Sequence, residues 1–585
     1  MMFLPGAGRR VPLLTLQRLI PAVAIRNAAI CLLGLTGLFA AAQTIQPDDQ
    51  PRKVSGTVIN SVTKASIPRA LVSTSDSRLG MLTDSEGHFE FTLPRETAGN
   101  SGQSVFYSGG HQYQGCSSWI QARKPGYLDC IDSPAGSPDG ELTIALVPEA
   151  IIHGRVSVGN SEPLSATDVQ LFYREVTDGL PRWMPRHNAR TNSAGEFRFA
   201  ELPAGEYKLL TRERADDDPI ARVPDRMFGY PPVFYPGAAD FASAETIHVS
   251  AGESFEADLV AARQSYYRVN IPVSNGDVSA GLNVTVRSDA GPGYSLGYNP
   301  TTKRIEGFLP NGNFVVEATA FGPNVASGIL NLKVDGSAAE SAAMTLIPAG
   351  SIALDVKEQF TDKRTWSASG TWNNGKRMVT VHGLRAYFQA QLEAADDSEP
   401  MRGASLRLPT GPNDQSFVLE NVLPGRYWLR LNTGHGYVAS ARMGDVDLLR
   451  QPLVVTTGPS TPIEVELRDD NAEIDGTVSG IGSSPTDAGF SSSVPRAWIY
   501  CVPEPDSPGQ FQELAVSEGG QFTYAMMAPG AYRVLAFASA QNHLPYRDAE
   551  AMKAYENRGA LVNLSAGEKL NVQVPLITEN DSSEK

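Results

Sequence analysis

The sequence predicts an all-β fold, a tandem array of about five β-sandwich domains that follow an N-terminal signal segment. Three observations support this prediction. One strand-turn-strand unit recurs along the chain, and 54 Gly and 41 Pro supply turns between short strands. Charged residues make up only 19% of the chain, and no long stretch shows a helical period. A string of small β domains is therefore favoured over helical repeats.

The first 42 residues have the pattern of a secretory signal peptide. Four arginines precede an apolar run over residues 28–42, which ends in three alanines. The run has about 15 residues, fewer than the ~20 that span a bilayer. An uncleaved N-terminal anchor is the alternative. The predicted location is secreted or periplasmic, at the cell envelope.

The recurrent unit is clearest at residues 416–432, where two arms of alternating apolar residues flank Pro424 and Gly425. Alternation turns every second side chain to one face, so each arm is predicted to be a half-buried strand. A proline-glycine turn between two such arms predicts a hairpin whose second strand returns against the first. Similar units occur at residues 195–210, 304–318 and 520–536, and a degenerate copy begins at Gly87.

The other strands are short apolar or alternating runs bounded by turn residues. They are, in chain order, 56–58, 70–72, 89–91 and 141–146; 151–156, 168–173 and 255–259; 267–271, 282–287 and 329–334; 350–356 and 463–467; and 473–478 and 497–503. Residues 223–238 are predicted to be an aromatic loop that packs between the second and third domains. Residues 548–555 are the one helical candidate, because three apolar side chains share a face.

Domain boundaries are predicted where a closing strand meets the next opening strand with few residues between them. The chain divides into a signal peptide (1–42), five β-sandwich domains (43–149, 150–263, 264–348, 349–471 and 472–577) and a disordered tail (578–585). Because short connections limit bending, we expect the domains to form a semi-rigid rod.

The first domain carries four motifs in a fixed order. They are G-x-V at Gly56, I-P-x-A-x-V at Ile67, T-D-x-x-G-x-F-x-F at Thr83 and K-P-G-Y at Lys124. In these motifs residues 54–148 resemble the carboxypeptidase regulatory-like family, whose members are transthyretin-like, Ig-like sandwiches of a carbohydrate-binding-like fold group. The resemblance is looser in the second and last domains and weak in the third. It implies the fold, and it implies an accessory module, since this family is not the catalytic part of the peptidases that carry it.

Two of the four cysteines are candidates for a disulfide. Cys116 and Cys130 bracket one predicted strand, and in an oxidising compartment a bond between them would staple its two ends. Two free thiols are the alternative, because an extended chain over this gap holds the sulfurs too far apart. Cys501 lies in a predicted strand and is interpreted as a small core residue.

Charge and motif content bear on the class of function. The formal net charge of −15 disfavours nucleic acid as a partner, because an acidic chain repels phosphate backbones. The eight histidines are scattered, and none stands in an H-x-x-E or H-E-x-x-H spacing. The serine hydrolase elbow, the P-loop and the dinucleotide glycine pattern are absent. We therefore predict no catalytic activity, no metal and no cofactor.

The best binding candidates are tryptophans. Alternation turns Trp428 away from the buried face of its strand, and Trp183, Trp366 and Trp372 are predicted to lie in polar loops. Flat exposed rings stack on sugar faces or anchor a protein partner. The alternative is that these rings cover an inter-domain contact or a sheet edge.

These observations predict a non-catalytic, multi-domain binding or spacer module at the cell envelope. Its predicted partner is a polysaccharide or an envelope protein, and no membrane-spanning segment is expected beyond the signal. The alternatives are a carbohydrate-binding accessory protein that uses the exposed tryptophans and a peptidase-associated protein.

Overall fold

The computed structural model describes residues 52–577, apart from 22 internal gaps. The gaps are 75–77, 94–105, 109–110, 114–119, 130–134, 137–140, 160, 178, 217–225, 276–280, 323–324, 341–342, 362–366, 369–380, 383–387, 396–403, 409–416, 459, 482–496, 517–519, 539 and 542–543. The predicted signal peptide, the tail, Cys116, Cys130, Trp366 and Trp372 lie outside the described residues.

The described chain is all-β, with strands arranged as successive sandwiches. The first sandwich contains β1 (Arg52–Asn60), β2 (Leu71–Thr74), β3 (Gly80–Leu82), β4 (His88–Leu93), β5 (Phe106–Ser108), β6 (His111–Tyr113), β7 (Ile120–Arg123), β8 (Ala135–Gly136) and β9 (Leu142–Leu146). One sheet has the order β4-β1-β9-β8 and another β3-β2-β7. Alternate apolar side chains such as Val58, Val72 and Phe89 meet between them and form the first core.

The second sandwich follows directly. Its segment contains β10 (Ala150–Val158), β11 (Glu162–Pro163), β12 (Asp168–Thr177), β13 (Leu180–Arg190), β14 (Glu196–Leu202), β15 (Gly205–Thr211), β16 (Arg214–Ala215), β17 (Arg226–Tyr230), β18 (Ile247–Val249), β19 (Ser254–Glu256) and β20 (Leu259–Ala261). One sheet has the strand order β13-β12-β15-β18. It faces a second sheet, in which β10 pairs with β11, β14, β19 and β20. Their inward side chains form the second core.

The third sandwich shares a sheet with the segment before it. It contains β21 (Gln264–Ser274), β22 (Leu282–Ser288), β23 (Gly291–Tyr294), β24 (Gly297–Asn299), β25 (Arg304–Pro310), β26 (Gly312–Ala320), β27 (Ala326–Val334), β28 (Ala339–Glu340), β29 (Met344–Thr345) and β30 (Ile347–Pro348). β16 and β17 extend its sheet in the order β16-β17-β21-β25-β24. The predicted aromatic loop therefore contains a strand, β17, that pairs antiparallel with β21.

The fourth and fifth sandwiches complete the described chain. Their strands are β31 (Gly350–Gln359), β32 (Ser367–Ala368), β33 (Val381–His382), β34 (Gln389–Ala394), β35 (Ser405–Arg407), β36 (Phe417–Val422), β37 (Gly425–Asn432), β38 (Tyr437–Met443), β39 (Val446–Asp447), β40 (Leu453–Val455) and β41 (Ile463–Arg468), then β42 (Ala472–Ser479), β43 (Ala497–Pro503), β44 (Gln512–Val516), β45 (Gln521–Met527), β46 (Gly530–Phe537), β47 (Ala560–Leu564) and β48 (Lys569–Ile577). The helical candidate forms the short helix α1 (Ala549–Met552), whose N-terminal amides are capped by Asp548, and then a 3₁₀ turn. Throughout the described residues, no helix has the length and apolar character that crossing a bilayer requires.

The recurrent unit differs from the predicted hairpin. Its two arms do not pair with each other: β36 pairs with β31 and β35, whereas β37 pairs with β34 and β40 in the opposite sheet. β14 and β15 likewise lie in different sheets, as do β25 and β26. β45 and β46 do not pair with each other either, but they belong to one sheet, in which β42 and β48 lie between them. Each unit is therefore an arch whose two arms do not pair with each other, and the alternate apolar side chains of β36 and β37 belong to one core. We call these four units the arches.

A tyrosine closes three of the four arches. The Tyr427 hydroxyl donates to the Leu423 carbonyl at 2.9 Å, and the Tyr207 and Tyr532 hydroxyls donate to the carbonyls four residues before them at 2.7 and 2.6 Å. The glycine two residues before the tyrosine leaves room for its ring, because a Cβ atom at Gly425 would lie 3.1 Å from the Tyr427 hydroxyl. The arch of the third sandwich has Phe314 at this position and lacks the bond.

Candidate functional site: a junction of three sandwiches

The hairpin of β12 and β13 extends from the second sandwich and contacts the fifth sandwich. The two strands pair from Asp168 and Arg190 to Thr177 and Leu180 at the tip. Gly179 lies in the tip turn with φ 74°, a conformation that favours glycine. A Cβ atom there would lie 2.7 Å from Cδ1 of Tyr546. The Arg547 amide donates to the Gly179 carbonyl at 3.0 Å, so the tip is held directly against the fifth sandwich.

Close to its tip, the same hairpin contacts the fourth sandwich through a buried arginine. The Arg182 side chain is 9% exposed, and its Nη1 donates to the Ala394 carbonyl at 2.8 Å. The same atom lies 3.8 Å from Oε1 of Glu393. Glu393 Oε2 in turn accepts from Nε and Nη2 of Arg430 at 3.0 and 2.8 Å. One carboxylate of the fourth sandwich thus lies between arginines of two different sandwiches, as a buried charge requires.

Aromatic side chains complete the junction. The Arg547 guanidinium lies 5.1 Å from the centre of the Trp428 ring, and Tyr546 stacks on Phe511 with ring centres 3.8 Å apart. Burial and the nearby charge of Arg547 lower the pKa of Arg430 to about 10, so Arg430 stays protonated at neutral pH. Burial raises the pKa of Tyr546. The second sandwich therefore contacts the fourth and the fifth, and the expectation of a semi-rigid rod, which rested on the short connections between consecutive domains, did not include these contacts.

Of the four candidate tryptophans, Trp183 and Trp428 are described; both are half-buried, and both have a cation near the ring. Trp428 belongs to the three-sandwich junction described above. Trp183 packs against a smaller cluster of the second sandwich that includes Phe172 and Leu210. The Lys208 ammonium lies 5.2 Å from the Trp183 ring centre and donates to two backbone carbonyls, and burial lowers its pKa. A ligand-binding role for Trp183 and Trp428 stays a prediction.

Sequence reasoning missed the residues that make this junction. Arg182 and Ala394 are 212 positions apart, and no local pattern links them. Alternation indicated that Trp428 faces away from its own core, and an inter-domain contact was the alternative to ligand binding there, but the pattern did not identify Arg547 as the contacting residue. Trp183 was predicted to lie in a polar loop, but it lies in the strand β13. Gly179, between two segments that can extend as strands, is the one sequence signal that could have indicated the β12–β13 hairpin.

Other chemistry-bearing groups are separated in the described part of the chain. There, no three or more His, Cys, Asp or Glu side chains come together in a way that would hold a metal ion. Cys501 is a buried free thiol in β43, and burial raises its pKa to about 12. A cavity of about 220 Å³ lies beside the arch of the fourth sandwich at Pro424, and it is smaller than a typical small-molecule site.

Comparisons with known proteins do not assign a family. No family model matches the chain, and no curated protein matches it. Among solved structures, the chain is similar to the Bacillus anthracis TIE protein, with 9% identity over 73% of each chain and a TM-score of 0.13. It is also similar to the major pilin subunit of Bacillus cereus (10% identity, 73% of this chain and 99% of that chain, TM-score 0.11). A putative adhesin from Bacteroides ovatus matches with 10% identity over 33% of this chain and 90% of that chain, with a TM-score of 0.12. The carboxypeptidase regulatory-like resemblance stays a prediction.

Proposed function

We propose that the protein is a non-catalytic spacer and binding module of the cell envelope, in which the sandwiches are held at fixed positions relative to one another. The observation that supports this role is the junction of Arg182, Glu393, Arg430 and Arg547. Charge-assisted bonds between buried groups have defined geometry and resist relative motion of the bodies they join. Domains that were only tethered in sequence would lack such contacts and would move independently.

A distance measurement tests this role. Labels placed on the second and fifth sandwiches give one narrow distance distribution if the junction is closed. Glu393→Gln removes the charge between Arg182 and Arg430 and leaves their two positive groups facing each other, so the distribution should broaden. Glu206→Gln is the matched control, since it breaks an exposed 2.7 Å pair with Arg174 inside the second sandwich. A distribution unchanged by Glu393→Gln would contradict the spacer role.

A carbohydrate-binding accessory role is the second candidate. It is supported by the partial exposure of the Trp183 and Trp428 rings, which leaves part of each surface available for stacking. Trp366 and Trp372 complete the proposed set. Pull-down on an insoluble polysaccharide should be lost when Trp183, Trp372 and Trp428 are replaced by alanine together. Binding that survives the triple substitution would rule out these sites.

We also propose that the chain is exported by the signal at residues 1–42, and a peptidase-associated protein is the third candidate function that the family resemblance supports. N-terminal sequencing of protein recovered outside the cytoplasm should begin near Gln43. Peptide mapping without reduction should show whether Cys116 and Cys130 are bonded in that material. An intact N-terminus there would indicate a retained anchor.

A further inference from the structure

A buried carboxylate lies where the second sandwich meets the third. Glu213 follows β15 of the second sandwich and reaches the turn between β23 and β24 of the third. Its Oε1 accepts from the Ser295 amide at 2.6 Å and from the Ser295 hydroxyl at 2.8 Å. The Glu213 amide donates to the Gly293 carbonyl at 3.0 Å. The residue therefore contacts the third sandwich through both its backbone and its side chain.

The second carboxylate oxygen of Glu213 has no hydrogen-bond partner among the residues that the structure describes. Oε2 has less than 1 Å² of accessible surface and makes no hydrogen bond to any described residue, although Glu213 as a whole is only half-buried. The hydroxyl of Tyr266 on β21 is buried and unpartnered in the same way. An ionised carboxylate in this position keeps a full charge with one oxygen unsolvated, which is unfavourable.

Close packing explains why water is kept from this carboxylate. The Phe241 amide of the second sandwich donates to the Ala290 carbonyl of the third at 2.8 Å. A Cβ atom at Gly291 would lie 2.8 Å from Cβ of Phe241, and one at Gly293 would lie 2.6 Å from Cγ of Pro232. Glycine at these two positions lets the turn of the third sandwich approach the second this closely.

Few charged groups face Glu213. Arg212, its neighbour in sequence, is the charged side chain that favours its ionised form, and the described residues form no ion pair with the Glu213 carboxylate. Tyr266 on β21 and Tyr294 on β23 face it with neutral hydroxyls. Burial raises the pKa of Glu213 to about 7 and that of Tyr294 to about 12, and it also raises the pKa of Tyr266. Glu213 is thus the group here that titrates near neutral pH.

We propose that Glu213 is a pH-sensitive latch between the second and third sandwiches, closed when the carboxyl is protonated and weakened when it ionises. The direction of the pH dependence follows from the difference in proton binding between the closed and the open state. The closed state holds a proton that the open state, with an ordinary carboxyl pKa near 4.5, releases. The contact is therefore strongest at acidic pH and is lost as pH rises through about 7. This inference does not depend on the spacer role.

Hydrogen exchange of the full chain tests the latch. The amides of Glu213 and Phe241 cross the junction to backbone carbonyls and do not bond the carboxylate. After correction for intrinsic rates, their protection relative to amides of β12 and β15 should fall tenfold or more from about pH 5 to about pH 8. Unchanged protection, or protection that rises with pH, would overturn the proposal.

Two variants separate the latch from a general effect of pH. Glu213→Gln keeps an acceptor for Ser295 and cannot ionise, so the pH dependence should disappear, whereas Glu206→Gln should keep it. Ser295→Ala removes a donor that stabilises the ionised form, so the midpoint of the change should move to higher pH. Because Ser295 is exposed, the Ser295→Ala variant is expected to fold normally. A pH dependence that persists in Glu213→Gln would reject Glu213 as its source.

Discussion

At the scale of single residues, three tyrosines show how a short motif fixes the corner of an arch. The turn has few residues, so its backbone carbonyls need a partner, and the hydroxyl of the following tyrosine supplies one. Alternation correctly predicted that Tyr427 is buried. It could not predict the partner, because a hydrogen bond to the residue four positions back depends on the turn geometry.

Removing one of these hydroxyls should destabilise its sandwich. Tyr427→Phe should lower the free energy of unfolding by about 1 kcal/mol, because the Leu423 carbonyl loses its donor while the ring still fills the core. Tyr267→Phe is the control, since the half-buried Tyr267 hydroxyl bonds none of the described residues. Chemical denaturation followed by hydrogen exchange of β36 and β37 measures the difference. Equal effects of both substitutions would contradict this account of the arch.

At the scale of strands, the opening strand of three sandwiches carries a glycine opposite a phenylalanine. The phenylalanine lies on the neighbouring antiparallel strand, which is β4, β14 or β45. The pairs are Gly56 with Phe89, Gly154 with Phe197, and Gly476 with Phe522. The ring covers the glycine, and a Cβ atom at Gly476 would lie 2.4 Å from Cζ of Phe522 and 2.5 Å from the Val572 carbonyl. This contact gives a physical reason for the G-x-V motif.

A methyl group at such a position should overpack the core. Gly476→Ala should lower the free energy of unfolding of the fifth sandwich by about 1–3 kcal/mol, because backbone and ring must both move. Gly297→Ala is the control, since its Cβ would meet only the Glu306 carbonyl at 3.9 Å. In denaturant unfolding, Gly476→Ala should lose more free energy of unfolding than Gly297→Ala, by at least half of the loss expected for Gly476→Ala. A tolerated alanine at Gly476 would show that the strands are not packed this tightly.

The strands also show where sequence reasoning stopped. Alternation identified the buried faces of β36 and β37, and the proline-glycine turn identified the connection between them. The prediction that these two arms pair with each other was wrong. The hydrogen-bond partners of both strands come from distant segments, and the local sequence contains no signal for them. The pairing of β17 with β21 was missed for a second reason. The aromatic residues of β17 and the prolines on either side of it are typical of a loop, so no strand was predicted there.

At the scale of the whole molecule, the β12–β13 hairpin determines whether distant sandwiches stay together. Gly179→Ala should weaken its contact with the fifth sandwich, because the new methyl group meets the Tyr546 ring and the left-handed backbone becomes strained. The Arg547 amide, bonded to the Gly179 carbonyl, should then exchange its hydrogen at least tenfold faster. Gly159→Ala, where nothing lies within 4 Å, should leave that exchange unchanged. Equal rates in both variants would contradict the contact.

In every sandwich the opening strand runs parallel to the strands that close it. The pairs are β1 with β9, β10 with β19 and β20, β21 with β28 and β29, β31 with β41, and β42 with β48. When the two ends of such a chain are pulled apart, the paired strands slide past each other, and all the bonds between them share the tension at once. A hairpin pulled at its open end would unzip one bond at a time. Rupture of this protein under tension is therefore governed by these terminal strand pairs, whose joint failure sets the rate of forced unfolding.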